Sequence, residues 1–127
     1  METIIIICGI YSLILGVFHL FFWKFFNWKK DLEKLSQVNR AVMQILNIQI
    51  IFVFFTTGLI CLFFNHEITG TNFGKYFLLA NSGFWALRIV NQFIFLRIND
   101  YRIHLLTFAF LIGSILFLVP VMYSVNK

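Results

Sequence analysis

Four stretches of mostly apolar residues, at 3–23, 37–64, 75–96 and 103–123, leave this chain few ways to fold. Each is long enough as a helix, at 1.5 Å per residue, to cross a hydrocarbon core of about 30 Å. Lipid offers no hydrogen bonds, so backbone inside it must bond within its own segment, as a helix does. The composition points the same way: 61% of the residues are hydrophobic, 18 are Phe and only 12% are charged. A water-soluble protein of 127 residues could not hide that much apolar surface. The expectation is an all-α chain: one membrane domain, 1–127, folded as a four-transmembrane-helix bundle.

The polar connections carry the topology. Residues 24–36 interleave Lys24, Lys29, Lys30 and Lys34 with Phe25, Phe26 and Trp28. That mixture suits the headgroup layer, with Trp23 and Trp28 as ring anchors and Lys29 and Lys30 turned to water. The segment reads either as a short surface helix or as an anchored loop. The Gly/Thr/Asn-rich stretch 65–74 reads as a turn. No Lys or Arg precedes the first run and no small-residue cleavage pattern follows it, so it reads as a retained helix. Four spans put both termini on one side. Lys24, Lys29, Lys30, Lys34, Arg40, Arg97 and Arg102 fall on the other, against Lys75 and Lys127. The positive-inside bias makes the lysine-rich side cytoplasmic and both termini external. The net charge of +5 then fits anionic lipid headgroups, and no nucleic-acid partner is expected.

Arg88 stands out because it lies well inside the third run. An arginine at such a depth costs about 2.5–3.5 kcal/mol on insertion scales. Residues three and four apart share a helix face, and each run has one polar stripe. These are Cys8, Ser12, Leu15 and His19; Arg40, Gln44, Asn47 and Ile51; Asn81, Trp85, Arg88 and Asn91 or Gln92; and His104, Thr107, Leu111 and Ser114. Polar stripes avoid lipid, so the four are expected to turn inward and form a polar interior in the cytoplasmic half. No Asp or Glu lies within any run, so the guanidinium has to be met by amide carbonyls, backbone oxygen, water or a bound anion. Its planar fork suits a carboxylate or phosphate. The alternative is that it snorkels to water.

The expected ligand-binding set is Arg88, Gln44, Asn47, Asn91, Gln92, Asn81, His19 and His104. His19 and His104 could also ligate a haem iron axially, a second reading. No metal site is expected, since a third ligand is missing at that depth. No catalytic constellation is recognisable. Cys8 and Cys61 read as small buried hydrophobes or as the halves of a disulfide. Gly9 and Gly16, with Ser12 between them, and Ala80, Gly83 and Ala86 mark places where helices can approach closely, within the chain or between protomers.

The strings G-V-F-H-L-F-F-W at Gly16–Trp23, N-R-x-x-M-Q-x-L-N at Asn39–Asn47 and F-W-A-L-R-x-x-x-Q at Phe84–Gln92 resemble small four-pass bacterial membrane proteins of the DoxX-like kind. The resemblance implies the four-pass architecture and the bacterial cytoplasmic membrane. Small multidrug exporters depend on a glutamate within the first span, and this chain has none. The expected function is binding or moving an amphipathic anionic or carbonyl-bearing molecule, such as a lipid, a quinone or a fatty acid. The alternative is an accessory or structural subunit of a larger membrane complex; the expected partners are membrane lipids, with a homo-oligomer or such a complex as the assembly.

Overall fold

A computed structural model describes residues 1–125. Lys127, counted above as an outer cation, lies outside the described residues. These form seven helices and no strand: α1 (Glu2–Leu20), α2 (Phe22–Phe25), α3 (Trp28–Leu32), α4 (Gln37–Phe63), α5 (Asn65–Gly70), α6 (Asn72–Phe95) and α7 (Tyr101–Val125). Among them α1, α4 and α7 are long and apolar enough to cross a membrane. The 24-residue α6 is long enough too, but Lys75, Asn81, Arg88, Asn91 and Gln92 dilute it. The all-helical class holds; among the described residues three helices have clear membrane-crossing character, where four spans are expected from the sequence.

The chain packs as two compact units. One comprises Gly9–Phe63. Its α1 buries Ser12, Leu15 and Gly16, while α4 buries Asn47, Phe54, Thr57, Gly58 and Cys61. Gly9 and Gly58 set the approach of the two helices. A Cβ at Gly9 would lie 2.9 Å from the Gly58 carbonyl oxygen, and one at Gly58 would lie 3.0 Å from that of Gly9. Asn47 Nδ2 donates to the His19 carbonyl at 3.2 Å, one of the last carbonyls of α1.

The stretch between α1 and α4 is helical in two short pieces. Asn27 joins them in the left-handed conformation, at φ 52° and ψ 42°. Asparagine tolerates that region better than most residues. Trp23 and Trp28 meet edge to face, with Trp23, Lys29 and Lys30 exposed and Trp28 half-buried. Arg40, expected on an inward stripe, instead caps α3. Its Nε donates to the Leu32 carbonyl at 2.8 Å and its Nη2 to that of Glu33 at 3.1 Å. The guanidinium fork thereby takes carbonyls that the end of a helix leaves without partners.

The other unit joins Met1–Cys8 to the chain from Phe64 onward. Its centre is the α6–α7 hairpin. Ser82 Oγ donates to the Ser114 carbonyl at 2.8 Å and Ser114 Oγ to that of Ser82 at 3.3 Å. Nearer the turn, Gln92 Nε2 donates to the Ile103 carbonyl at 3.0 Å and to Thr107 Oγ1. These pairings run in opposite directions along the two helices, so the hairpin is antiparallel. Four of the buried residues of α6, Leu78, Ser82, Trp85 and Gln92, follow the three- and four-residue steps of a coiled-coil seam. Asp100 starts α7 by accepting from the Arg102 N–H at 2.8 Å.

Pro120 lies inside α7. It has no N–H, so the carbonyl four residues back, on Leu116, loses its helical donor. The Cys8 thiol supplies one, at 3.4 Å. Cys8 and Cys61 are both buried and neither forms a disulfide.

The stretch 65–74 is less of a turn than its composition suggests. Residues Asn65–Gly70 are helical, and Thr71 then caps α6 by accepting from the Gly74 N–H at 3.1 Å. The ring Nδ1 of the exposed His66 lies 3.0 Å from Glu2 Oε1. The hydrogen bond to Glu2, helped by its charge, raises the His66 pKa above the ordinary 6.5. The pair therefore contributes fully below pH 6.5, and its contribution is lost as the pH rises through the raised pKa of the folded state. Solvent screening keeps the contribution small. An NMR titration should find His66 shifted upward in the wild type and returned to the ordinary range in Glu2→Gln. A wild-type His66 titrating normally would show that the His66–Glu2 pair does not form in solution.

Candidate functional site

The site is built on the flank of the α6–α7 seam. Burying Trp85 against α7 places its ring 5.6 Å from that of Phe110, nearly parallel at 19°. One helical step further on, at the edge of the seam, Arg88 is half-buried. Its guanidinium carbon sits 4.8 Å from the centre of the Phe110 ring. That contact is worth about 0.5–2 kcal/mol. It supplies no hydrogen-bond acceptor, and the positive charge stays. Among the described residues of its unit, no side chain or carbonyl accepts a hydrogen bond from Arg88 and no carboxylate pairs with it. Arg88 lies seven residues before Phe95, about 10 Å from that end of the helix.

Asn91 lies three residues on, half-buried and likewise without a side-chain hydrogen bond among the described residues. Residues at this spacing are neighbours on a helix surface. Together, Arg88 and Asn91 offer a planar cationic fork and an amide beside an aromatic wall. Such a patch can hold a carboxylate, a phosphate or a carbonyl oxygen by charge-assisted hydrogen bonds.

The other expected site residues have different surroundings. Asn81 Nδ2 donates to the Phe77 carbonyl at 2.9 Å, within its own helix. Gln92 is in the seam, where its nitrogen is engaged and its Oε1 is buried without a partner. His104 is exposed, with Nε2 2.9 Å from Asn99 Oδ1 at the start of α7. In the Gly9–Phe63 unit, His19 Nδ1 lies 2.8 Å from the Leu15 carbonyl, and its ring stacks on Phe22 at 4.1 Å. Asn47 reaches the His19 carbonyl and keeps a buried Oδ1 without a partner, while Gln44 is half-buried one turn away on α4. Among the described residues, no three His, Cys, Asp or Glu side chains cluster as metal ligands would.

Phe110 carries no polar signal and was hidden among the 18 phenylalanines. Ser82 escaped the polar stripe assigned to α6 because it is one position from Asn81. Its signal was the spacing to Trp85 and Gln92, which is that of the seam. No family model, no curated protein and no solved structure matches this chain.

Proposed function

We propose that this chain is a four-span protein of the bacterial cytoplasmic membrane, with α6 counted as a span in addition to α1, α4 and α7. It binds the polar head of an amphipathic molecule at Arg88. The observation that carries the reading is the half-buried guanidinium on α6, stacked on Phe110 and unmatched by any acceptor of its own unit. A charge held within a bilayer is costly unless something answers it. A carboxylate, phosphate or carbonyl oxygen bound to the fork would do so, with Asn91 orienting the head and the surrounding phenylalanines and aliphatic side chains taking the tail. The hairpin bonds of Ser82, Ser114, Gln92 and Thr107 support α6 as a span, because they bring its polar residues to partners on α7. Binding or passage of a lipid, a quinone or a fatty acid fits this chemistry. The basic residues at the α2–α3 stretch and at the α6–α7 turn support a cytoplasmic position for those ends.

The test is Arg88→Gln, with the amphiphiles extracted from purified protein measured by mass spectrometry. The variant is expected to keep its elution profile and helicity and to lose at least about tenfold of the bound species. That figure corresponds to the 1.4 kcal/mol or more that a charged hydrogen bond contributes. An extract identical to that of the wild type would overturn the reading.

A further inference from the structure

At the end of the α6–α7 hairpin remote from its turn, the α5–α6 connection borders a second feature, open on one side. It is a cavity of about 280 Å³, with Ile68, Leu78 and Pro120 as an apolar floor and Thr71, Asn72 and Lys75 among the residues at its polar side. The floor residues are all buried. The connection is held in shape from within. Thr69 Oγ1 donates to the His66 carbonyl and Thr71 Oγ1 to that of Glu67, both at 2.8 Å. Gly74 lies directly against the backbone of Ile68.

Lys75 is half-buried, and among the described residues it has neither a hydrogen bond nor an ion pair. It also stands in the first turn of α6, where the helix dipole disfavours a cation. Among the described residues, no acidic side chain lines the cavity. Its polar side is therefore positive and uncompensated, above a floor that would accept carbon. Phe73 and Tyr76, close to Lys75 along α6, are 76% and 71% exposed, as rings at headgroup depth would be.

We propose that this cavity binds a phosphate group at Lys75, supplied by an anionic phospholipid headgroup or by free phosphate. The site is separate from Arg88, and its ligand answers a different cation. It contributes at the α5 end of the hairpin by fixing α5 to α6 through the bound anion.

The experiment uses the full chain in detergent micelles, with two probes. One is dioleoyl phosphatidylglycerol read by native mass spectrometry against the matched phosphatidylcholine. The other is inorganic phosphate read by the thermal midpoint. Three variants accompany the wild type. Lys75→Gln removes the charge. Gly70→Phe fills the cavity from a position where an added Cβ meets nothing within 4 Å. Lys24→Gln removes an exposed lysine elsewhere. A phosphatidylglycerol adduct favoured at least fivefold in the wild type and Lys24→Gln, and lost in the other two, supports the site with a lipid source. A midpoint raised by inorganic phosphate in the same two proteins, without a lipid preference, supports it with a soluble source. Equal behaviour of the wild type and Lys75→Gln toward both probes overturns the proposal, and so does an equal loss in Lys24→Gln.

Discussion

Gly74→Ala is expected to be among the most damaging single-methyl additions in this protein. A Cβ at Gly74 would fall on the carbonyl oxygen and Cα of Ile68, and 2.6 Å from its carbonyl carbon. All of these are backbone atoms, so no rotamer change can relieve the overlap. Either α5 lifts off α6 or the start of α6 unwinds. Overpacking of side chains costs roughly 1–3 kcal/mol, and a clash with fixed backbone belongs at or above the top of that range. Unwinding would also forfeit the Thr71 cap, worth about 1 kcal/mol. The expected result is a loss of about 3 kcal/mol in denaturant unfolding, with fast amide exchange appearing over residues 65–71. Gly83→Ala is the control. It is also a helical glycine of α6, but an added Cβ there meets nothing within 4 Å. Alanine's better helix propensity should leave Gly83→Ala unchanged or up to about 1 kcal/mol more stable. Equal stability of the two variants would mean that α5 does not pack on Gly74.

That pair of glycines shows where sequence reading stops. Both stand in α6, and nothing local separates them: Gly83 has small neighbours in Ala80 and Ala86 and looked the better packing site. Which glycine is covered depends on the six-residue helix α5, whose polar composition, N-H-E-I-T-G, reads as a turn. Length and hydropathy made α1, α4 and α7 legible, because an apolar run of that size has few alternatives in water or lipid. Periodicity brought out Arg88 and Asn91 as neighbours on one face of α6. It did not separate them from Gln92, which lies one position beyond Asn91 and is held in the seam by Ile103 and Thr107. Cys8 shows the same limit over a longer span. Its thiol serves a carbonyl released by Pro120, more than a hundred residues later. No local pattern could have suggested that.

The second large effect is expected from Gly58→Leu. In the unit formed by Gly9–Phe63, α1 and α4 approach at Gly9 and Gly58, with no side chain on either to hold them apart. A Cβ at Gly58 would lie 2.7 Å from Cγ and Cδ2 of Leu13 and 3.0 Å from the Gly9 carbonyl oxygen. Leu13 is half-buried and can change rotamer, whereas the Gly9 carbonyl belongs to the helix and cannot. Alanine at Gly58 therefore asks mainly for a movement of Leu13 and should cost about 1 kcal/mol. Leucine adds a branched chain with nowhere to go and forces the helix axes apart. Gly16 lies two turns along the same face, where an added Cβ would be 3.0 Å from the ring of Phe55, so the separation would spread along the interface. In membranes, tight packing and hydrogen bonds replace much of the drive that water gives to soluble cores. Losing contact along this face should then cost about 2–3 kcal/mol or more. The Asn47 bond to the His19 carbonyl should open with it, exposing the end of α1. Detergent-denaturation midpoints for the wild type, Gly58→Ala and Gly58→Leu should fall in that order, with the larger drop at the second step. A leucine variant as stable as the wild type would show that α1 and α4 are not in close contact at this point. The reciprocal Gly9→Ala, facing the Gly58 carbonyl oxygen at 2.9 Å, should be worse than Gly58→Ala. In that direction the first atom met is backbone rather than the end of a leucine.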